Sequence, residues 1–265
     1  MSAQSRLRKS TAILALLLCP CLLPESEASA AERSVIGRSV EGRPIVSVRV
    51  GSKEPTMRML VIGAVHGNER AGTRIARLLI RLGAPRGAEL LVVPTLNPDG
   101  VAARARGNAH GVDLNRNFPF DWRPLTGGEY SGPRPLSEPE SRAAHRLILR
   151  TRPDVTIWFH QPFGLIDRPA GNPFVAHRFA QLIGLPLVDL PGRYPGSASR
   201  WQNHRLPRAT AFVAELPARV SDALVVRGVT AVHKLASELA SPALSRSQPV
   251  GAGRPGPPAN LREIA

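Results

Sequence analysis

One short segment limits this chain's folding options more than any other. Met59–Val65 is a continuous apolar run with no alternation of apolar and polar positions. That is the pattern of a central strand covered on both faces. Leu90–Thr95 reads as a second buried strand, and Asp154–His160 and Thr210–Leu216 as two more. The intervening segments carry helical spacing. In Thr73–Leu82, Ile75, Leu78, Leu79 and Leu82 fall on one face, and Gly83 and Pro85 end the run. Ser137-Glu138-Pro139-Glu140 predicts a helix start that runs to about Arg150, with Ser137 as cap and Glu140 completing a capping box. Asn172–Ile183 and Ser221–Leu239 read as helices, and Pro44–Val50 as a half-buried edge strand. Strands alternating with helices imply an α/β fold, a three-layer α/β/α sandwich with a mixed, largely parallel central sheet. Residues 97–136 show no clear period, and so long a loop in a compact domain is usually functional.

The two ends read differently. Arg6, Arg8 and Lys9, then the apolar stretch Thr11–Leu23, then Ala28-Ser29-Ala30, have the build of a secretory signal peptide over residues 1–30. The stretch is short for a bilayer span, so no stable membrane insertion is expected after cleavage. Residues 31–240 form the expected catalytic domain, and 241–265, rich in Pro and Gly, a flexible tail. Both cysteines, Cys19 and Cys21, lie in the leader, so the mature domain has neither disulfides nor Cys metal ligands. The net charge is +15; the leader holds three bases and two acids, which leaves +14 for the rest. Such a field favours anionic surroundings such as wall polymers. Nucleic acid is not the expected partner, because the arginines are scattered without interleaved aromatic residues.

His66-Gly67-Asn68-Glu69 directly follows the first apolar run, and His160 ends the third. Sites in open sheets form at the carboxyl ends of strands, so neighbouring strands would bring His66, Glu69 and His160 to one edge. Two His and one Glu are a common hydrolytic zinc set that leaves a fourth position for water. Glu215 stands inside the run Ala211–Leu216, where a carboxylate is costly to bury unless it serves chemistry or meets a partner. Taken alone, His160 reads as a core histidine and Glu215 as a salt-bridged structural acid.

Their order changes that reading. His66-Gly67-Asn68-Glu69, Asn97-Pro98-Asp99-Gly100, Arg106, Gly111-Val112-Asp113-Leu114-Asn115-Arg116-Asn117-Phe118-Pro119, Trp158-Phe159-His160 and Phe212-Val213-Ala214-Glu215-Leu216 together resemble the zinc carboxypeptidase family. Their wording is most similar to its bacterial murein peptide amidase branch. The resemblance implies one Zn²⁺ per chain on His66, Glu69 and His160, with Glu215 as catalytic base. It further implies that Arg106 steadies the oxyanion, that Asn115 and Arg116 hold a substrate carboxylate, and that Asp113 accepts from the first zinc histidine. Tyr194 is the candidate for the family's mobile tyrosine, although it stands nearer Trp201 than the family pattern has it.

The segment that sets side-chain preference reads Ser197-Ala198-Ser199-Arg200-Trp201, neither an apolar nor an acidic pocket. The expected activity is that of an exported zinc metallopeptidase cutting an amide beside a carboxylate-bearing residue. The expected substrate is a peptidoglycan stem peptide, cleaved between γ-D-Glu and meso-diaminopimelate. Arg193 and Arg200 would lie near the pocket, where an arginine could pair with the additional carboxylate of diaminopimelate. Export is the departure, since amidases that recycle murein peptides are expected in the cytoplasm. Two rivals remain: a zinc deacylase of the aspartoacylase or succinylglutamate desuccinylase kind, which also carries His-Gly-Asn-Glu, and a non-enzymatic binder of anionic wall polymers.

Overall fold

The computed structural model describes residues 31–168, 171–190 and 194–241. The leader, residues 242–265 of the tail, and Arg193 lie outside the described residues. In chain order the elements are β1 (Glu32–Arg38), β2 (Pro44–Gly51), β3 (Met57–Ala64), α1 (Ala71–Leu82), β4 (Ala88–Thr95), α2 (Pro98–Ala103) and α3 (Pro139–Thr151). Then follow β5 (Val155–His160), β6 (Phe163–Asp167), α4 (Pro173–Ile183), β7 (Leu187–Val188), α5 (Ala198–Arg205), β8 (Thr210–Pro217) and α6 (Asp222–Ala240).

The strands form one sheet in the order β1-β2-β4-β3-β5-β8-β6-β7. The four apolar segments are its centre: β4, β3, β5 and β8 run parallel. Antiparallel pairs flank them, β2 on β4 and β6 on β8. Side chains alternate across each central strand, and both faces are dry. On one face Met59, Val61, Phe159 and Phe212 pack with Ile75 and Leu79 of α1, Phe179 of α4 and Leu235 of α6. On the other, Leu60, Ile62 and Trp158 meet Leu147 of α3, Trp201 of α5 and Phe118. Each such side chain contributes about 1.5–3 kcal/mol through burial, so two covered faces commit these strands to the interior. The fold is the three-layer α/β sandwich with a mixed sheet.

Three local readings change. The Pro44–Val50 strand is not at the edge, because β1 pairs with it antiparallel from Glu32 to Arg38. β1 is exposed along most of its length and carries almost no apolar pattern, so backbone pairing and the packing of Ile36 on the core define it. Ser137 does not cap α3. The helix begins one residue later, and Ser137 Oγ donates to Glu138 Oε1 (2.7 Å). The Glu138 amide is instead met from far along the chain by Asn117 Oδ1 (3.2 Å). Glu140 turns inward, accepting from the Val40 amide (3.0 Å) and Asn108 Nδ2 (3.0 Å), and so ties the β1–β2 turn to α3. Local capping gives way to a tertiary contact. The remaining caps are local: Asn172 accepts from Phe174 N and Ser221 from Leu224 N. Among the described residues no helix is long and apolar enough to cross a membrane.

Candidate active site

β3 and β5 are parallel neighbours, with Ile62 opposite Trp158. His66, just past β3, and His160, the last residue of β5, therefore emerge side by side, their ring centroids 4.7 Å apart. β8 lies on the far side of β5 and sets Glu215 opposite His160. Parallel register alone thus gathers three of the four chemical residues at one sheet edge.

The fourth arrives by a tight turn. Glu69 N bonds back to His66 O (3.2 Å), which folds residues 66–69 under the start of α1. Gly67 is needed there, because a Cβ at this position would lie 1.9 Å from the Gly100 carbonyl carbon. That contact explains Asn97-Pro98-Asp99-Gly100. Asn97 Oδ1 caps α2 on Gly100 N (2.8 Å), Asn97 Nδ2 holds Gly107 O (3.1 Å), and Asp99 accepts from Ser39 Oγ (2.7 Å) and Arg43 Nη1 (2.7 Å). The segment is a scaffold for the turn above it. Gly67 N also donates to Arg106 O (3.3 Å), fixing the next loop.

His66, Glu69 and His160 place one ligand atom each within 4.8 Å of one another, and all three are buried. His66 Nδ1 stands 2.8 Å from Glu69 Oε1 and 3.1 Å from His160 Nδ1, which stands 3.0 Å from Glu69 Oε2. Two imidazoles turning the same nitrogen toward each other and toward a carboxylate are poor mutual partners but a good donor set for a cation. Behind them, Asp113 is fully buried. It takes His66 Nε2 at 2.9 Å, Arg106 Nε and Nη2 at 3.0 and 2.8 Å, and Asn115 N at 2.8 Å. With neutral imidazoles, Asp113, Glu69 and Arg106 leave the cluster a charge of −1, and ionised Glu215 brings it to −2. A dication balances that, so the residues fit a divalent metal by charge and by donor type.

Burial works against Glu69, yet hydrogen bonds from His160 and His66 hold its carboxyl down at about 2. Glu215 goes the other way. Burial, reinforced by the charge of Glu69, raises it to about 7, and its Oε2 is buried without a protein partner. A carboxylate poised near neutrality with a free oxygen has the properties of a general base.

The cavity in front of the cluster holds about 270 Å³. Of the described residues selected from sequence, all but Asp113 line it: His66, Glu69, Arg106, Asn115, Arg116, His160, Tyr194, Arg200 and Glu215. Arg106 is partly committed, since besides Asp113 it reaches Glu69 Oε1 (3.3 Å). Asn115 Oδ1 accepts from Ala198 N (3.0 Å), which leaves its Nδ2 for a ligand. Arg116 is buried, bonds its own Asn115 carbonyl (3.0 Å), and sits 5.1 Å from the Tyr194 ring centre; its Nε has no protein partner. Gly196 makes that approach possible, for its φ is +68° and a Cβ there would lie 2.2 Å from Arg116 O. Arg200 lies over Phe120, 5.8 Å from its centre.

Sequence reasoning missed several lining residues. Glu129 forms an ion pair with Arg116 from an exposed turn. Gln161 braces the cluster through N to Glu69 Oε2 (3.1 Å) and Oε1 to Ala71 N (3.0 Å). Phe163 and Asp167 come from β6. Only Gln161 had a signal, its place directly after His160.

Comparisons with known proteins agree with this geometry. The sequence profile of the zinc carboxypeptidase family (Peptidase_M14) matches residues 22–173. Glu215 lies beyond that span. Murein peptide amidase A of Escherichia coli strain K12 is 32% identical over 182 residues, covering 62% of this chain and 74% of that protein. The protein of the same name from Vibrio campbellii is 29% identical over 227 residues, covering 79% and 90%. Among solved structures, murein-tripeptide amidase from Escherichia coli O157 superposes with a TM-score of 0.63 at 29% identity, over 82% of this chain and 96% of that one.

Asp113 sets which His66 nitrogen carries the proton. Asp113→Asn is therefore expected to weaken zinc binding about 10–100-fold, the usual cost of losing such an outer partner. Competition against a fluorescent chelator measures it. Affinity within twofold of wild type would mean that Asp113 does not orient His66.

Proposed function

Because this chain belongs to the zinc carboxypeptidase family and is a hydrolytic metallopeptidase, we propose that it is exported and cleaves the amide between γ-D-Glu and meso-diaminopimelate in peptidoglycan stem peptides. One observation carries the reading. A single cavity joins the His66–Glu69–His160 cluster and the unpartnered Glu215 oxygen to a buried arginine that, among the described residues, ion-pairs with one exposed acid. Hydrolysis of an amide next to a free carboxylate needs those three things together.

His66, Glu69 and His160 would hold one zinc per chain. Bound there, the ion supplies Lewis acidity toward the amide carbonyl and makes its water more acidic. The remaining work falls to side chains. His66 donates Nε2–H to Asp113 and so keeps Nδ1 as a lone-pair donor. Glu215 accepts the water's proton and returns it to the leaving amine. Arg106 faces the cavity with a side chain about one-third exposed (36%) and is placed to steady negative charge on the carbonyl oxygen. Arg116 and Asn115 hold the substrate carboxylate, and Tyr194 covers it. Glu129 is no obstacle. Its side chain is 55% exposed, so it can turn into water and leave the guanidinium to an incoming carboxylate.

Three features support the narrower substrate and compartment. The relatives above are named for action on murein peptides, and a chain of net charge +15 is drawn to anionic wall material. The leader-like residues 1–30 support export.

Export predicts mature protein that begins near Ala31 and is recovered outside the cytoplasm. Amino-terminal sequencing that returns Met1 on soluble, active protein contradicts it.

Glu215→Gln is expected to keep fold and zinc yet lose about 10²–10⁴-fold in kcat, the worth of general acid–base catalysis. Circular dichroism, metal analysis and turnover report the three. Retention of more than about a tenth of the rate, well outside that range, assigns the base elsewhere.

The carboxylate grip predicts that L-Ala-γ-D-Glu-diaminopimelate is cleaved far faster than its form amidated at the carboxylate beside the scissile bond. Amidation strands the Arg116 guanidinium, a loss of about 2–5 kcal/mol for a desolvated charge pair. Arg116→Ala should erase the difference. Mass spectrometry of the two peptides in competition decides. Equal cleavage of both ends the reading, and cleavage of N-acyl amino acids alone transfers the chain to the deacylases.

A further inference from the structure

The cavity has a second charged region, apart from the metal cluster and Arg116, and its two charges have opposite sign. Asp167 ends β6 and lines the cavity, as does Arg200 of α5. β6 runs antiparallel to β8 with Leu165 opposite Glu215. Asp167 is two residues further on, on the same face of the strand, hence about 7 Å beyond the residue facing the base. The side chain following the scissile bond would extend into that region, because Val213, on β8 two residues before Glu215, lines the cavity too.

Neither charge closes an ion pair among the described residues. Asp167 makes no ion pair among the described residues, and it accepts a long 3.5 Å hydrogen bond from Leu190 N. Its neighbour Asp189 is already paired, to Arg168 at 3.1 Å. Arg200 likewise makes no ion pair among the described residues. It is held by ring contact, its guanidinium over Phe120, whose other neighbour is the stacked His204 ring at 4.2 Å. Arg200 and Asp167 sense each other's charge without closing to ion-pair distance. Burial, with a contribution from Asp189, lifts the Asp167 carboxyl to about 6, as befits a half-buried acid that lacks a cation. Two opposite charges that line one cavity and leave each other unpaired are complementary to a ligand carrying both.

We propose that Asp167 and Arg200 form a receptor for a zwitterion, the carbon bearing both ammonium and carboxylate at the far end of the side chain on the leaving residue. Asp167 takes the ammonium and Arg200 the carboxylate. This rests on the stem-peptide reading and adds to it. Diaminopimelate carries such a zwitterion, lysine offers the ammonium alone, and 2-aminopimelate offers the carboxylate alone. Asp167 is then a specificity residue, acting on KM more than on kcat.

The test uses zinc-loaded wild type, Asp167→Asn and Arg200→Gln with three tripeptides, L-Ala-γ-D-Glu followed by meso-diaminopimelate, lysine or 2-aminopimelate. Wild type should prefer the first over both others by at least about tenfold in kcat/KM, a modest worth for one partly buried charge contact. Asp167→Asn should abolish the preference over 2-aminopimelate and keep that over lysine; Arg200→Gln should do the reverse. Wild type that cleaves all three alike, or an unchanged ratio in Asp167→Asn, overturns the receptor. Asp167→Ser serves in its place should the Asn variant fail to fold. Calorimetry of the three free amino acids on zinc-loaded Glu215→Gln protein reads the same contacts without turnover. If no tripeptide is cleaved yet meso-diaminopimelate alone binds, the receptor stands and the cleavage reading falls; equal binding of all three overturns the receptor whatever is cleaved.

Discussion

The Asp113 carboxylate is the interaction on which the site depends. It is fully buried, and it draws together three separate stretches of chain: the His66 turn, the Arg106 loop and the Asn115-Arg116 turn. Burying a carboxylate would by itself push its pKa up, yet His66, then Arg106 and Arg116, hold this one well below the usual range. The acid is therefore charged throughout the neutral range, and the charge is what holds its four donors. A neutral side chain of the same shape would leave Arg106 half-buried beside Glu69 without its main partner. Geometry and electrostatics are here a single constraint.

Around that carboxylate, rigid and irregular parts divide the work. The parallel register of β3, β5 and β8 sets His66, His160 and Glu215 at one edge, at positions determined by backbone hydrogen bonds in a dry sheet. The long segment between β4 and α3 supplies the arginines. It has little regular structure, and its order comes from side chains bonding the backbone. Asn117 holds Ser131 O (2.8 Å), Arg134 O (3.1 Å) and the Glu138 amide, and so staples the loop to the start of α3. Phe118, buried against Trp158 and Trp201, anchors the same stretch in the core. A loop with this many internal partners presents its charges as firmly as a helix would.

The cavity's charges also have an order. Next to the His66–Glu69–His160 cluster the excess is negative, which suits a dication; at Arg116 it is positive, with exposed Glu129 as its ion-pair partner among the described residues; at Asp167 and Arg200 the two signs stand apart. Exposed Glu129 can turn into water and yield Arg116 to a ligand. Among the described residues the remaining two charges have no such placeholder.

The four central strands, most of their flanking helices and the His66–Glu69–His160 cluster were legible in the sequence because each is a local property. Continuous apolar runs report burial on both faces, helical spacing reports one buried face, and a histidine at a strand's end lies at the sheet's carboxyl edge wherever the strand sits. β1, β6, β7 and α5 were not legible. β1 is exposed along most of its length, β7 has two residues, and α5 reads Ala-Ser-Arg-Trp-Gln-Asn-His-Arg, polar nearly all round. Such elements are set by pairing and docking, which a periodicity cannot register. The same holds for the start of α3, where Ser137 is locally the natural cap and distant Asn117 supplies the contact instead. So the sequence by itself determined the layered fold and the meeting of His66, His160 and Glu215 at one sheet edge, since those follow from residue type and strand position. Only the tertiary structure decided that Glu129 faces Arg116 and that Asp167 shares a cavity with Arg200. Those pairs lie 13 and 33 positions apart on different elements, and nothing in the chain between them encodes the distance.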